Sequence, residues 1–131
     1  MQMSGSFLLD TNIVIALFGG DALVQKRVAT DSKFFIPCLV LGELYYGAQK
    51  SRRVNENMTK IKDFIASTTV LNCDSNTALE YAIIKNLLRK RGCPIPENDI
   101  WIAALAKQYN ITLITRDKHF NEIEDVNTHT W

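Results

Sequence analysis

Short apolar runs alternating with longer segments of helical period constrain this chain more than any other feature. Phe7-Leu8-Leu9, Phe34-Phe35-Ile36, Thr69 to Leu71 and Ile111 to Thr115 read as strands, and the tail Asn127 to Trp131 is a candidate fifth. Between them, a helical run follows Asp10-Thr11-Asn12 through Phe18, and Gly19-Gly20 breaks it. Asp21 to Thr30 and Leu39 to Gln49 read as helices, as does Val54 to Ala66, which carries Met58, Ile61, Phe64 and Ile65 on one face. Thr77 to Arg91 is the strongest helical pattern, with Leu79, Ile83 and Leu87 at spacing four and Gly92 as a stop. Pro94 and Pro96 mark a loop before a helix from Asp99 to Tyr109. Strands separated by helices favour βαβ units, which bury a parallel sheet on both faces. The expected class is α/β. With 131 residues and no linker, repeat or low-complexity stretch, residues 1–131 are expected to form one domain.

Composition narrows the function classes. Cys38, Cys73 and Cys93 are odd in number and lack a C-x-x-C pair, which argues against a disulfide framework and a zinc knuckle. Small core or near-core positions account for them, and a reducing cytoplasm suits them. The apolar stretch from Phe7 to Phe18 is interrupted by Asp10 and Asn12 and is shorter than the roughly 20 residues a membrane helix needs. A cytoplasmic protein without a membrane partner is expected. The net charge is +1, but setting four of the 14 acids aside leaves 15 basic groups against 10 acidic ones. The remaining surface then weakly favours a polyanion.

Those four acids are Asp10, Glu43, Asp99 and Asp117. In an open parallel sheet, ligands bind beyond the carboxyl ends of the strands. Asp10 directly follows the first run and Asp117 follows the fourth, so both fall at that crevice. Each also has an ordinary explanation, Asp10 as a helix cap and Asp117 as a turn residue. Asp99 has one too, as a first-turn acid complementing the helix dipole, with Asn98 as a neighbouring cap. Glu43 is the only charged residue in P-C-L-V-L-G-E-L-Y-Y-G-A, which reads as a buried helix; a carboxylate there is protonated or requires a neutralising group from elsewhere, the alternative being a surface-facing Glu43 with its neighbours tucked inward. Carboxylates about 5 Å apart repel by roughly 3 kcal/mol per pair at an effective dielectric near 20. A cluster of them calls for protons or cations, and hard oxygen donors select Mg²⁺ or Mn²⁺.

Four stretches carry a resemblance to the PIN-domain nucleases, most closely the small VapC-type toxins of bacterial toxin–antitoxin pairs. They are L-L-D-T-N-I-V-I from Leu8, L-G-E-L-Y-Y-G-A from Leu41, G-C-P-I-P-E-N-D-I-W-I-A-A from Gly92 and L-I-T-R-D-K-H-F from Leu113. Order, spacing and total length agree, so the resemblance covers essentially the whole chain. It implies a parallel sheet of about five strands in the order 3-2-1-4-5. It also implies that Asp10, Glu43, Asp99 and Asp117 are catalytic metal ligands, with Asn12 and Thr115 orienting carboxylate or water. The implied activity is Mg²⁺- or Mn²⁺-dependent endoribonuclease cleavage that leaves 5′-phosphate and 3′-hydroxyl ends. The implied partners are an RNA substrate, a VapB-like antitoxin in a toxin–antitoxin hetero-oligomer, and a second copy in a homodimer.

Other residues are expected to play lesser parts. Arg116, beside Asp117, is a candidate contact for a substrate phosphate or an inhibiting partner. The clusters at Lys50, Arg52 and Arg53 and at Arg89 to Arg91 lie at helix ends, where positive charge needs no RNA. His119 and His129 lack ligand spacing and are expected at the surface or in caps. Thr77 and Glu80 read as a capping box, and Tyr45, Tyr46, Phe64 and Trp101 as packing residues. Two competing functions remain: a non-catalytic PIN module that binds metal and RNA, and a haloacid-dehalogenase-like phosphatase. The phosphatase pattern requires an aspartate where Asn12 stands; a phosphorelay receiver leaves Glu43 unexplained.

Overall fold

The computed structural model describes residues 5–30 and 32–131. Strand β1 (Ser6–Leu9) is central, and helices α1 (Thr11–Phe18) and α2 (Ala22–Val28) lead from it to β2 (Lys33–Pro37). Helices α3 (Cys38–Gln49) and α4 (Val54–Ala66) connect to β3 (Thr69–Leu71). Helices α5 (Ser75–Lys90) and α6 (Glu97–Tyr109) then carry the chain back to β4 (Thr112–Ile114), and a 3-10 turn (Lys118–Glu122) precedes β5 (Thr128–His129). All four pairings are parallel and the strand order is β3-β2-β1-β4-β5. The expected class and order both hold.

The core follows from that order. Leu8 and Leu9 of β1 and Leu113 and Ile114 of β4 are fully buried, as middle strands of a parallel sheet must be. Helix α6 supplies Ile100, Ile102, Ala103, Ala104, Leu105 and Ala106 as a nearly continuous buried run. Burial on most sides over this run accounts for its weak amphipathic pattern. Asn110 ends it at φ 51°, a left-handed conformation that asparagine tolerates better than most residues. Gly92 does the same after α5 at φ 65°, as its reading as a stop predicts.

Helix α5 corrects two expectations. Asp74, not Thr77, caps it: the Asp74 carboxylate accepts from the backbone N–H groups of Asn76 and Thr77, and the Thr77 hydroxyl receives the Asp74 N–H at 2.9 Å. Glu80 instead pairs with Lys107 at 3.3 Å. The apolar row at spacing four also faces outward, with Leu79 60%, Ile83 38% and Leu87 47% exposed. The helix packs through Thr77, Ile84 and Leu88, with Tyr81 stacked on Trp101 at 4.1 Å. The hidden face includes the threonine whose hydroxyl is consumed by the cap, so hydrophobicity alone marks the wrong side.

Helix α3 is likewise less buried than its composition implies. Val40, Leu44 and Ala48 face the core, while Glu43 is exposed and Tyr46 is 66% exposed. The apolar surroundings inferred for Glu43 are therefore absent on its outer side. Phe64 packs edge-on against Phe18, as expected of a packing residue. Cys38 and Cys93 are half-buried, but Cys73 is exposed rather than near the core. Among the described residues no helix is long and apolar enough to cross a membrane.

Candidate active site at the carboxyl ends of the central strands

Chain direction away from the sheet reverses between β1 and β4, and such a switch point leaves a crevice at the strands' carboxyl ends. Asp10 is the first residue beyond β1, held in line by its N–H donating to the Ile114 carbonyl at 3.0 Å. Its side chain is only 5% exposed. One carboxylate oxygen caps α1 by accepting from Thr11 N at 2.8 Å; the other accepts from the Thr115 hydroxyl at 2.7 Å and from Asn12 Nδ2 at 3.4 Å. The capping role and a site role thus coincide in one carboxylate.

Bridging groups bring the remaining acids around it. The Thr11 hydroxyl donates to Glu43 Oε2 at 2.6 Å, and Asn98 Nδ2 donates to Glu43 Oε1 at 3.2 Å. Asn98 is therefore no cap, since Pro96 occupies that position of α6. Buried Thr115, which donates to Asp10, also accepts from Asp117 N at 3.0 Å, so one hydroxyl spaces two acids. Asn12 Oδ1 accepts from Arg116 N at 3.1 Å and pins the β4 exit to α1. That fixed amide stands where a phosphatase needs its second aspartate.

Electrostatics report the same neighbourhood. Burial pushes the Asp10 carboxyl above its ordinary value, and the charges of Asp99 and Glu43 push the same way, against the hydrogen bonds from Thr115 and Thr11. Asp99 is raised by burial and by Asp117 and Glu43, against its bond with His119. Among the described residues no lysine or arginine pairs with any of the four acids. Four clustered carboxylates, one buried and two half-buried, with none of the described lysines or arginines against them, form a donor set that fits a divalent metal ion.

His119 is where the sequence reading misses. Its Nδ1 lies 3.2 Å from Asp99 Oδ2 and 3.1 Å from Asp117 Oδ1. One donor atom from each of the three residues falls within 4.8 Å of the others. The only sequence signal was its position two residues past Asp117, a spacing that the 3-10 turn converts into proximity. Arg116 is engaged within the chain: Nε donates to the Trp131 carbonyl at 2.7 Å and Nη2 to Asp21 at 2.9 Å, holding the Asp21 carboxyl below its usual range. Contact with RNA or a partner would use its remaining nitrogen or exchange these bonds. Glu97, expected in a loop, opens α6 and pairs with Lys85.

A model of the PIN domain matches residues 7–126. The chain belongs to the PIN-domain family. Within it, this PIN domain is 33% identical to the ribonuclease VapC2 of Haemophilus influenzae over 128 residues, covering 95% of this chain and 97% of the relative. It is 30% identical, with the same coverage, to a Shigella flexneri protein named tRNA(fMet)-specific endonuclease VapC. Among solved structures, VapBC2 from Rickettsia felis bound to a DNA fragment from its promoter superposes with a TM-score of 0.89. That pair shares 26% identity, covering 96% of this chain and 98% of the other. Relatives this similar over their whole length place the chain with the VapC proteins.

Proposed function

We propose that this chain, acting as one domain, is a divalent-metal-dependent endoribonuclease and the toxin of a VapBC-type pair. The observation that carries the reading is the meeting of Asp10, Glu43, Asp99 and Asp117, from four separate elements, at the switch point of the sheet. The names of the VapC relatives supply the substrate class.

The four carboxylates would hold Mg²⁺ or Mn²⁺, which when bound activates a water for attack and neutralises phosphoryl charge. The chain's own groups set the geometry. Thr115 and Thr11 lock both oxygens of Asp10, so its orientation does not depend on substrate. Thr11 and Asn98 orient Glu43, which stays exposed on the side open to an RNA strand. Such preorganisation spares reorganisation when charge develops on the phosphate oxygens.

Removing metal is the direct test. Purified protein incubated with RNA, tRNA first because one relative is named for it, is expected to cut with Mg²⁺ or Mn²⁺, to stop in EDTA and to resume on adding metal back. Cleavage undiminished in EDTA would show that the carboxylates do not work through a metal. Mapped ends are expected to carry 5′-phosphates.

The partners follow the same reading. A VapB-like antitoxin is expected to bind the chain, since the Rickettsia neighbour is a VapBC complex. The outward row Leu79, Ile83 and Leu87 of α5 supports a second copy, because an exposed apolar helix face is costly unless covered. Leu79→Glu with Leu87→Glu is expected to convert a dimer into a monomer by light scattering with little loss of stability. An unchanged mass would place the dimer contact elsewhere.

A further inference from the structure

Resting on the metal-dependent reading above, we propose that His119 is a direct nitrogen ligand of the metal, beside Asp99 and Asp117, and biases the site toward Mn²⁺ and later transition ions over Mg²⁺. Spacing is the first support. An octahedral ion about 2.1 Å from its donors sets adjacent donors about 3 Å apart. Nδ1 of His119 lies 3.2 Å from Asp99 Oδ2 and 3.1 Å from Asp117 Oδ1, and all three donors fall within 4.8 Å. The imidazole nitrogen already stands at the spacing of a neighbouring ligand from each of the two acids.

Positioning is the second support. His119 N donates to Asp117 Oδ1 at 2.9 Å, so the same residue that presents the imidazole is tied to the acid it would join at the ion. The next residue, Phe120, is 1% exposed and anchors the turn in the core. The His119 side chain is itself 52% exposed, which leaves that flank of the site open to water or substrate.

Chemistry supplies the consequence. Oxygen donors alone suit Mg²⁺, whereas imidazole nitrogen strengthens binding along the Irving–Williams order, in which Mn²⁺ precedes Fe²⁺, Co²⁺ and Ni²⁺. One nitrogen among carboxylates therefore changes metal preference without changing the number of acids. The competing account is that His119 only hydrogen-bonds the two acids and leaves the ion to oxygen donors.

The two accounts separate in the metal-stripped full-length chain loaded with Mn²⁺ alone, without RNA. Pulsed electron paramagnetic resonance is expected to show nitrogen coupling to Mn²⁺ in the wild type. The coupling is expected to vanish in His119→Ala and to persist in His129→Ala, the chain having two histidines. In His119→Ala, Mn²⁺ binding is expected to weaken about tenfold or more, and Mg²⁺ binding, measured by competition, less than about threefold. Mn²⁺ bound without nitrogen coupling, coupling that survives His119→Ala, or equal weakening for both metals overturns the assignment of His119 and leaves the carboxylate site standing. A wild type that binds no Mn²⁺ overturns the metal reading itself and this inference with it.

Discussion

The double variant Asp10→Asn, Asp99→Asn is expected to lose RNA cleavage by about a thousandfold or more, yet to be the more stable protein when metal is withheld. The loss follows from removing two carboxylates from a site whose charge stabilisation is worth several kcal/mol, at 1.36 kcal/mol per tenfold in rate. The gain follows from linkage. Both carboxyls have folded-state values raised above 3.8, mainly by burial and then by neighbouring acids. In the window between that ordinary value and the raised one, the folded chain binds more protons than the unfolded chain, so stability falls as pH rises. Above the window the whole penalty is present. Asparagine has no charge to desolvate and escapes it, so the variant's Tm should be the higher. Thermal melts in EDTA at pH 7.5 should show the variant ahead, with the gap closing near pH 3 as the wild-type acids protonate. Added Mn²⁺ should reverse the order, because only the wild type gains binding free energy. A variant that melts lower in EDTA at neutral pH would mean that the four acids do not strain the fold.

Phe120→Ala is expected to cost about 3–5 kcal/mol, the range for removing a buried aromatic ring. Phe120 is the largest fully buried side chain and lies three residues beyond Asp117, within the 3-10 turn that also carries His119. A protein of this size holds about 5–15 kcal/mol in total, so the guanidinium midpoint should fall by about a fifth or more. Cleavage measured under conditions where the variant is still folded should fall as well, because the turn orients Asp117 through the His119 N–H donated to Asp117 Oδ1. A loss under about 1 kcal/mol would show that the turn repacks, and that Asp117 is held by Thr115 alone.

Strand content and the placing of acids at strand ends were legible in the sequence because both depend on neighbours along the chain. Phe7-Leu8-Leu9 is apolar throughout since a central parallel strand is covered on both faces, and Asp10 follows because a helix begins there and needs a cap. The resemblance to PIN domains added the strand order, which no local pattern encodes. The boundaries that moved are those where a side chain from elsewhere intervened. Helix α5 starts at Ser75 because Asp74 caps it with Thr77, and Gln108 of α6 donates to that same Asp74 at 3.0 Å.

What only the tertiary structure decided is which face of each element meets which. Leu79, Ile83 and Leu87 form a valid apolar row, but that row faces outward and α5 packs on α6 through Thr77, Ile84 and Leu88 instead, a choice made by a partner helix. Glu43 was singled out for its apolar neighbours in sequence, yet it is exposed and joins the acids through Thr11 and Asn98, which lie 32 and 55 residues away. His119 had no signal beyond proximity to Asp117, because its second neighbour, Asp99, belongs to another helix. Local composition determined the α/β alternation and four acids, of which Asp10, Asp99 and Asp117 each had a cap, turn or dipole role. Long-range hydrogen bonds through Thr11, Asn98 and Thr115 decided that those acids share one crevice, since like charges converge only where packing elsewhere in the fold outweighs their repulsion.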